Sequence, residues 1–211
     1  MGRLRHQTAA LSNDPEVNVS DRRNEILEAA CHVIGRGGVH ELRVEDVAKE
    51  VGISPALVYY YFDTRADLLS RAFEFADARS MTNTLAKLDL EAPAEQQVRE
   101  MLLLELDDVP DVRENWVIWS EMTAGAFFDD DLKAAVAKWS DHWVRMVAEL
   151  IAKGKEEGSL PREIDAAAAA QRLTGTLDSL GGRVLLGIIE RERAVELMKG
   201  ALTLELGEAP E

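Results

Sequence analysis

The residues best suited to binding chemistry form one hydroxyl-rich segment near the start of the chain. Tyr59, Tyr60 and Tyr61 are consecutive, with Ser54 shortly before them and Arg65 shortly after. Successive residues of a helix are rotated by about 100°, so three adjacent tyrosines cannot all point into a core. Hydroxyl and guanidinium groups donate to phosphate oxygens, and aromatic rings pack on thymine methyl groups. The segment therefore indicates contact with duplex DNA, unless the tyrosines only seal the fold.

Two short helices joined by a tight turn must position this segment. Apolar residues at helical spacing predict a helix over 44–51, and Gly52 then breaks it. Ser54 is a good N-cap and Pro55 suits the first helical position, which predicts a second helix to Phe62. A turn of this length with a glycine is typical of a helix-turn-helix. The shared small core is predicted to contain Val47, Ala48, Val51, Ile53, Val58 and Phe62.

The helices on either side of this pair give the predicted domain boundaries. Ser20 is the predicted N-cap of a first helix that ends at Gly37 and Gly38. Residues 1–19 are expected to form a flexible arm, and its Arg3 and Arg5 are interpreted either as minor-groove contacts or as a solvated tail. We therefore predict an N-terminal helix-turn-helix domain over 20–68 and a larger helical domain over 69–211.

The larger domain is also predicted to be helical. Thr64 with Asp67 three residues later is typical of a capping box and opens a long fourth helix, about 64–89. The apolar periodicity then predicts five more helices, at about 93–107, 111–127, 130–157, 165–189 and 191–206. Asp111 is the predicted start of the sixth. No segment alternates strictly, so the expected fold is all-α with about nine helices.

Residues 20–70 resemble the DNA-binding domain of the TetR family of regulators. The shared features are the small-residue helix, Gly52-Ile-Ser, the run Leu57-Val-Tyr-Tyr-Tyr-Phe and the basic residue that opens the next helix. The resemblance implies phosphate contacts from Ser54, Tyr60, Tyr61 and Arg65, and base-edge contacts from Pro55, Ala56 and Tyr59. Two residues depart from the family pattern, which has a hydroxyl residue where this chain has Arg43 and often threonine where it has Leu57. Arg43 still offers phosphate donors, and Leu57 offers an apolar contact.

The sixth and seventh predicted helices hold all four tryptophans of the chain. Tryptophans and methionines on facing helices indicate either ordinary core packing or the lining of an apolar cavity. The runs Trp116-x-x-Trp-Ser-Glu, Trp139-x-x-His-Trp, Gly158-Ser-Leu-Pro and Leu177-Asp-Ser-Leu-Gly-Gly are similar to the BetI-like, choline-responsive branch of that family. This resemblance implies a ligand pocket, for which the candidates are Phe73, Met101, Leu104, Glu105, Trp119, Met122, Trp143 and Asp178.

The carboxylates among these helices suggest the charge of the ligand. Glu105, Glu121 and Asp178 are candidates for buried acids beside tryptophan rings, and that combination suits a cationic ligand. The alternative is that these carboxylates are solvated. The identity of the small-molecule effector is not evident from the sequence.

The last two predicted helices carry apolar stripes that suit a homodimer. The predicted interface residues are Leu173, Leu177, Leu180, Val184, Ile188, Leu197 and Ala201, and Gly181 and Gly182 are expected to allow close approach of the helices. The resemblance implies a four-helix interface between two copies. A two-fold dimer sets its recognition helices about 34 Å apart and predicts a palindromic operator.

The distribution of charge is compatible with DNA binding. The net charge is −15, but residues 1–72 contribute only −2 and residues 73–211 contribute −13. Duplex binding depends on a local basic face of the protein rather than on the net charge of the whole chain. Neither a membrane span nor a secretory leader is evident, which favours the cytoplasm.

The distribution of histidine and cysteine along the chain disfavours an enzymatic function. His6, His32, His40 and His142 are scattered and Cys31 has no nearby base, so neither a catalytic nor a metal site is expected, and no cofactor. Cys31 is interpreted as a buried core residue. Taken together, the sequence favours a ligand-responsive, DNA-binding repressor that releases its operator when the pocket is occupied. The rival hypotheses are an enzyme and a helical interaction module that has lost DNA binding.

Overall fold

The computed structural model describes residues 15–208, with side chains from Ser20 onward. This part of the chain contains nine α-helices, one short 3-10 helix and no strand, so the predicted all-α fold is confirmed. The helices are α1 (Pro15–Gly37), the 3-10 helix (Val39–Glu41), α2 (Val44–Val51), α3 (Pro55–Tyr61), α4 (Arg65–Lys87), α5 (Ala94–Leu104), α6 (Pro110–Gly125), α7 (Asp130–Glu157), α8 (Ala166–Leu185) and α9 (Arg191–Leu206). None of them has the length and apolar character to cross a membrane.

The predicted turn chemistry of the helix-turn-helix is confirmed. Gly52 ends α2 in the left-handed conformation at φ 75°, which a side chain would strain. The Ser54 hydroxyl accepts a hydrogen bond from the Leu57 amide at 3.3 Å and caps α3. The Thr64 hydroxyl accepts from the Asp67 amide at 3.0 Å and caps α4. The reciprocal hydrogen bond of the capping box differs from the usual one. The Asp67 carboxylate accepts from the backbone amide of Asp63 rather than from the backbone amide of Thr64.

Two predicted helix starts are wrong. Residues 15–19 are already helical, so α1 includes residues before the predicted cap at Ser20. The helix α6 begins at Pro110 rather than at Asp111, because proline has no backbone N–H to leave unpaired in a first turn. Residues 15–19 thus belong to α1, while Arg3 and Arg5 lie outside the described residues.

The hydrophobic side chains form two clusters, and the first one crosses the predicted domain boundary. It contains residues of α1, α2, α3 and α4 together with Ile118 and Met122 of α6 and Trp139 of α7. Cys31 is fully buried in this cluster, as predicted, and its thiol donates to the Ala72 carbonyl at 3.4 Å. Burial raises the pKa of Cys31 to about 12, so the thiol stays protonated. The second cluster lies among α5, α7, α8 and α9.

Candidate nucleic-acid interface and ligand cavity

The helix α3 is anchored by few side chains and exposes the rest. Val58 and the following Phe62 are buried, while Ala56, Tyr59 and Tyr60 face solvent. Tyr60 is 76% exposed and Tyr59 is 50% exposed, which is unusual for large aromatic side chains. A seven-residue helix held by so small a core presents most of its surface to a partner.

The remaining predicted contact residues lie around α3. Tyr61 is half-buried, packs against the first cluster and meets the Tyr60 ring edge-on at 5.2 Å between ring centroids. This contact fixes the direction of the more exposed ring. The other predicted DNA-contact residues are all exposed: Arg43, Ser54, Pro55, Leu57 and Arg65.

Arg65 also has a structural role that the sequence did not reveal. Its Nε donates to the Leu42 carbonyl at 2.7 Å, and its Nη2 donates to the Val39 carbonyl at 2.5 Å. The first residue of α4 therefore clamps the chain that leads into α2. Arg43 caps that helix only with its backbone, and no carboxylate of the described residues forms an ion pair with its guanidinium group.

A cavity of about 780 Å³, its open mouth included, lies between α4, α6, α7 and α8. All four tryptophans line it, so the predicted aromatic cavity is present. Six of the eight predicted ligand residues are in its wall: Phe73, Glu105, Trp119, Met122, Trp143 and Asp178. Lining residues outside the predicted ligand set include Asp77, Ser80, Asn115 and Leu177, and also Trp116 and Trp139, which the sequence indicated only as part of the tryptophan-rich helices. Of these, Asp77 and Ser80 follow Phe73 at i+4 and i+7, a spacing that could have identified them.

Three residues predicted near the ligand lie elsewhere. Met101 is fully buried in the second cluster, and Leu104 borders a neighbouring cavity instead. Glu121 follows the cavity residue Trp119 by two positions, which turns it about 200° around α6. Its carboxylate accepts a hydrogen bond from the Val39 amide at 2.9 Å, on the side of the helix-turn-helix.

Three acids line the cavity, and its lining residues in the described chain include no Lys, Arg or His. The Asp178 side chain keeps solvent exposure, but surrounding protein atoms desolvate its carboxyl group and raise its pKa to about 6. The neighbouring Trp119 indole partly offsets that shift. Burial also raises the pKa of Asp77 and that of Glu105, while the Thr84 hydroxyl donates to Glu105 at 2.7 Å. A nearby cation would relieve the cost of keeping these groups ionised.

Trp116 is fixed at the wall of the cavity by two contacts. Its indole Nε1 donates to the Glu105 carbonyl at 2.8 Å. Its ring also lies against the backbone of α8 at Gly181, where a Cβ would come within 2.3 Å of ring atoms. The close approach that Gly181 allows is therefore made inside the protomer.

The predicted dimer residues divide into two groups. Leu173, Leu177 and Leu180 are buried within the protomer, so they have no surface to offer a second chain and their prediction is corrected. Their stripe on α8 faces the second cluster rather than solvent. The other four keep partial or full exposure: Val184, Ile188, Leu197 and Ala201. Leu204, which belongs to the apolar stripe predicted on the last helix, and Leu186, which was not predicted, are more exposed still.

The cavity wall and the helix-turn-helix meet along α6. Arg79 of α4 is mostly buried and donates to Glu28 of α1 at 2.7 Å and to Asn115 of α6 at 3.2 Å. It also forms an ion pair with Glu114. One side of α6 thus lines the cavity, and the other side holds α1, α4 and Val39. Among the described residues, no cluster of His, Cys, Asp or Glu is suited to a metal ion.

Comparisons with known proteins match both parts of the chain. The family described as bacterial regulatory proteins of the tetR family matches residues 26–72. The family described as BetI-type transcriptional repressor, C-terminal, matches residues 94–207.

Individual proteins are similar over most of the chain. A crystal structure of a TetR-family transcriptional regulator from Rhodococcus sp. is 32% identical, with a TM-score of 0.80 over 89% of this chain and 99% of that one. A transcriptional regulator from Saccharomonospora viridis, solved in complex with choline, is 26% identical, with a TM-score of 0.79 over 90% and 99% of the two chains. The fatty acid metabolism regulator protein of Bacillus subtilis is 20% identical over 73% of this chain and 78% of its own length.

Proposed function

The chain belongs to the TetR family of bacterial regulatory proteins, and on that premise we propose that it is a ligand-responsive repressor. As a homodimer it binds a palindromic operator, and it releases the operator when a small organic cation occupies the tryptophan cavity. Residues 20–68 form the DNA-binding head in this proposal, and residues 69–211 form the body that binds ligand and dimerises. Its place of action is the cytoplasm, where the bacterial chromosome lies.

The exposed tyrosines of α3 are the observation that carries the DNA-binding part of the proposal. Tyr59 is directed at base edges together with Pro55, Ala56 and Leu57, while Tyr60 and the half-buried Tyr61 donate their hydroxyls to phosphates. Ser54 and Arg43 flank the helix with further donors. Arg65 keeps Nη1 free of the backbone bonds made by its other nitrogens, so one guanidinium donor remains for a phosphate.

The chemistry of the cavity supports a cationic ligand. Four indole rings supply electron-rich faces, and three carboxylates supply negative charge that is incompletely solvated. A cation is attracted to both, and the attraction strengthens when water is excluded. An acyl chain with an anionic head would meet three acids and no base among the lining residues. The choline complex of the Saccharomonospora viridis relative is consistent with this choice of ligand.

Dimerisation is supported by apolar surface on α9 and on the linker from α8 to α9. Ile188 and Leu197 are exposed, and Leu186 and Leu204 extend the same class of surface near them in sequence. Exposed apolar side chains of this size are unfavourable in water unless a partner covers them. A two-fold interface buries both copies of the surface at once and spaces the two α3 helices for successive major grooves.

The helix α6 is the proposed route from cavity to head. A ligand that moves Trp119 or Trp116 shifts a helix whose opposite side holds Val39 through Glu121 and holds Arg79 through Glu114. Val39 is also held by Arg65, so the segment that leads into α2 responds to α6 and α4 together. A coupling of about 1–3 kcal/mol is enough to change operator occupancy.

A selection and release experiment tests the proposed function. Purified protein is used to select its operator from a pool of random duplexes, and the selected site is then titrated with tetramethylammonium at constant ionic strength. We expect a palindromic site and its release by the cation, with sodium as the matched control. No selected site, or a site that is retained at saturating cation, contradicts the proposal.

A further inference from the structure

A second cavity adjoins the tryptophan cavity and differs from it in chemistry. It lies between the end of α4, the linker from α5 to α6 and the start of α6. The tryptophan cavity is aromatic, whereas this one has polar side chains at seven of its eleven lining residues and contains no aromatic residue. The side chains that matter for binding are Asn83, Thr84, Lys87 and Asp111.

The two cavities share a wall that is polar and small. Ser80, Glu105 and Asn115 line both of them. Ser80 is buried, and its hydroxyl makes no hydrogen bond to another described residue. Glu105 accepts from Thr84 of the second cavity, while its backbone carbonyl accepts from Trp116 of the first. A ligand that reaches this wall from the tryptophan cavity therefore meets hydrogen-bonding groups that continue into the second cavity.

We propose that the two cavities form one bipartite site for a cation that carries an uncharged, hydrogen-bonding arm. The cationic head lies among the tryptophan rings, and the arm passes Ser80, Glu105 and Asn115 to end between Asn83 and Thr84. This proposal rests on the cationic ligand of the proposed function and adds the second half of that ligand.

The polar groups of the second cavity determine the character of the arm. Asn83 offers a donor and an acceptor, and the Thr84 hydroxyl, which donates to Glu105, still offers an acceptor, so the pair suits a hydroxyl or an amide. Asp111, Glu105 and Asp107 outnumber Lys87, whose ammonium lies 3.9 Å from Asp107, so an anionic arm is disfavoured. An apolar arm would leave the polar lining without partners, and that is costly in a recessed site.

The test compares cations that share a head and differ only in the arm. Tetramethylammonium measures binding of the head alone. Alkyl-trimethylammonium ions of increasing length are then compared with their terminal-hydroxyl counterparts, by calorimetry on the purified full chain. Once the arm is long enough to reach Asn83, we expect the hydroxyl compound to bind about tenfold more tightly than the alkyl compound.

A matched pair of variants locates this preference. Asn83→Leu replaces a polar group that lines only the second cavity. Thr82→Leu introduces the same side chain at the adjacent position, which is exposed and lines neither cavity. We expect Asn83→Leu to remove the preference for the hydroxyl arm and to leave tetramethylammonium binding unchanged, while Thr82→Leu changes neither.

The outcomes separate this inference from the proposed function. If tetramethylammonium binds but hydroxyl and alkyl arms bind equally at every length, the bipartite site is wrong and the cation-responsive function stands. The same conclusion follows if Asn83→Leu keeps the preference. If neither tetramethylammonium nor any of the longer cations binds, the cationic ligand itself is wrong, and the inference fails with it.

Discussion

The head and the body use aromatic side chains in opposite ways. On the head, Tyr59 and Tyr60 of α3 face solvent, and their hydroxyls are available to a polar partner. In the body, all four tryptophans face an internal cavity that also contains three acids. Phenol hydroxyls suit a polyanion, and indole faces near carboxylates suit a cation. The direction and the charged neighbours of an aromatic cluster therefore indicate its partner better than aromatic content does.

The largest expected effect is the loss of DNA binding when the outward tyrosines are removed. The double variant Tyr59→Ala/Tyr60→Ala deletes contacts to both bases and phosphates, so we expect operator affinity to fall about 100-fold. Fluorescence anisotropy with labelled operator measures the change. The body is untouched, so tetramethylammonium binding should be unaltered. A tight complex that survives the double substitution would show that α3 is not the reading helix.

A smaller effect is expected where α8 packs against the cavity wall. A Cβ at Gly181 collides with the Trp116 ring, so Gly181→Ala should lower the free energy of unfolding by about 2 kcal/mol and weaken cation binding. Gly175→Ala is the matched control, because Gly175 also lies in α8 and a Cβ there meets no atom within 4 Å. Urea unfolding compares the two variants. Equal stability of both would mean that Trp116 is not held against α8.

Removing one tryptophan ring from the cavity tests the role of aromatic side chains in the body of the protein. Trp119→Ala deletes a ring from the cavity beside Asp178, and we expect the affinity for tetramethylammonium to fall about tenfold. Operator affinity without ligand should stay the same, because Trp119 lies on the cavity side of α6. Calorimetry and anisotropy on the same preparation measure both. A variant that binds the cation normally would remove the aromatic cavity as the ligand site.

The pH dependence of cation binding tests the role of the acids. The pKa of Asp178 is raised to about 6 in the free protein, so this group is ionised above that pH and neutral below it. A bound cation favours the ionised form, so affinity should fall severalfold as the pH drops from about 7 to 5. Asp178→Asn should flatten the profile, leaving the residual slope to Asp77 and Glu105. An unchanged profile in Asp178→Asn would exclude Asp178 as a partner of the cation.

The smallest expected effect concerns the link between the two regions. Glu121→Ala removes the acceptor of the Val39 amide, and we expect the cation to change operator affinity about threefold less than in the parent protein. Glu121→Gln keeps an oxygen acceptor and should retain most of the response. Both affinities are measured with and without tetramethylammonium. If Glu121→Ala and the parent respond equally, the signal does not pass through this contact.

The head and the body also differ in how much of their structure the sequence could predict. The head lies within one continuous segment, where the caps at Ser54 and Thr64 and the turn at Gly52 determine helical phase locally, and these predictions are confirmed. The cavity of the body is assembled from α4, α6, α7 and α8. Which residues line it therefore depends on how each helix is rotated about its own axis. The family resemblance therefore placed Trp119 and Asp178 at the cavity but also Met101, which lies in the second cluster. Periodicity assigned to the dimer interface three leucines of α8 that are buried within the protomer. Arg65 shows a further limit, because its backbone partners follow from tertiary packing alone.

One titration follows ligand binding and operator release together, because every tryptophan lies in the body and none in the head. Labelled operator bound to the protein is titrated with tetramethylammonium, while tryptophan fluorescence and DNA anisotropy are recorded in the same sample. We expect both signals to change with a common midpoint, and sodium at equal ionic strength to produce neither change. If the cation alters the tryptophan signal to saturation while the operator stays bound, ligand binding in the cavity does not release DNA.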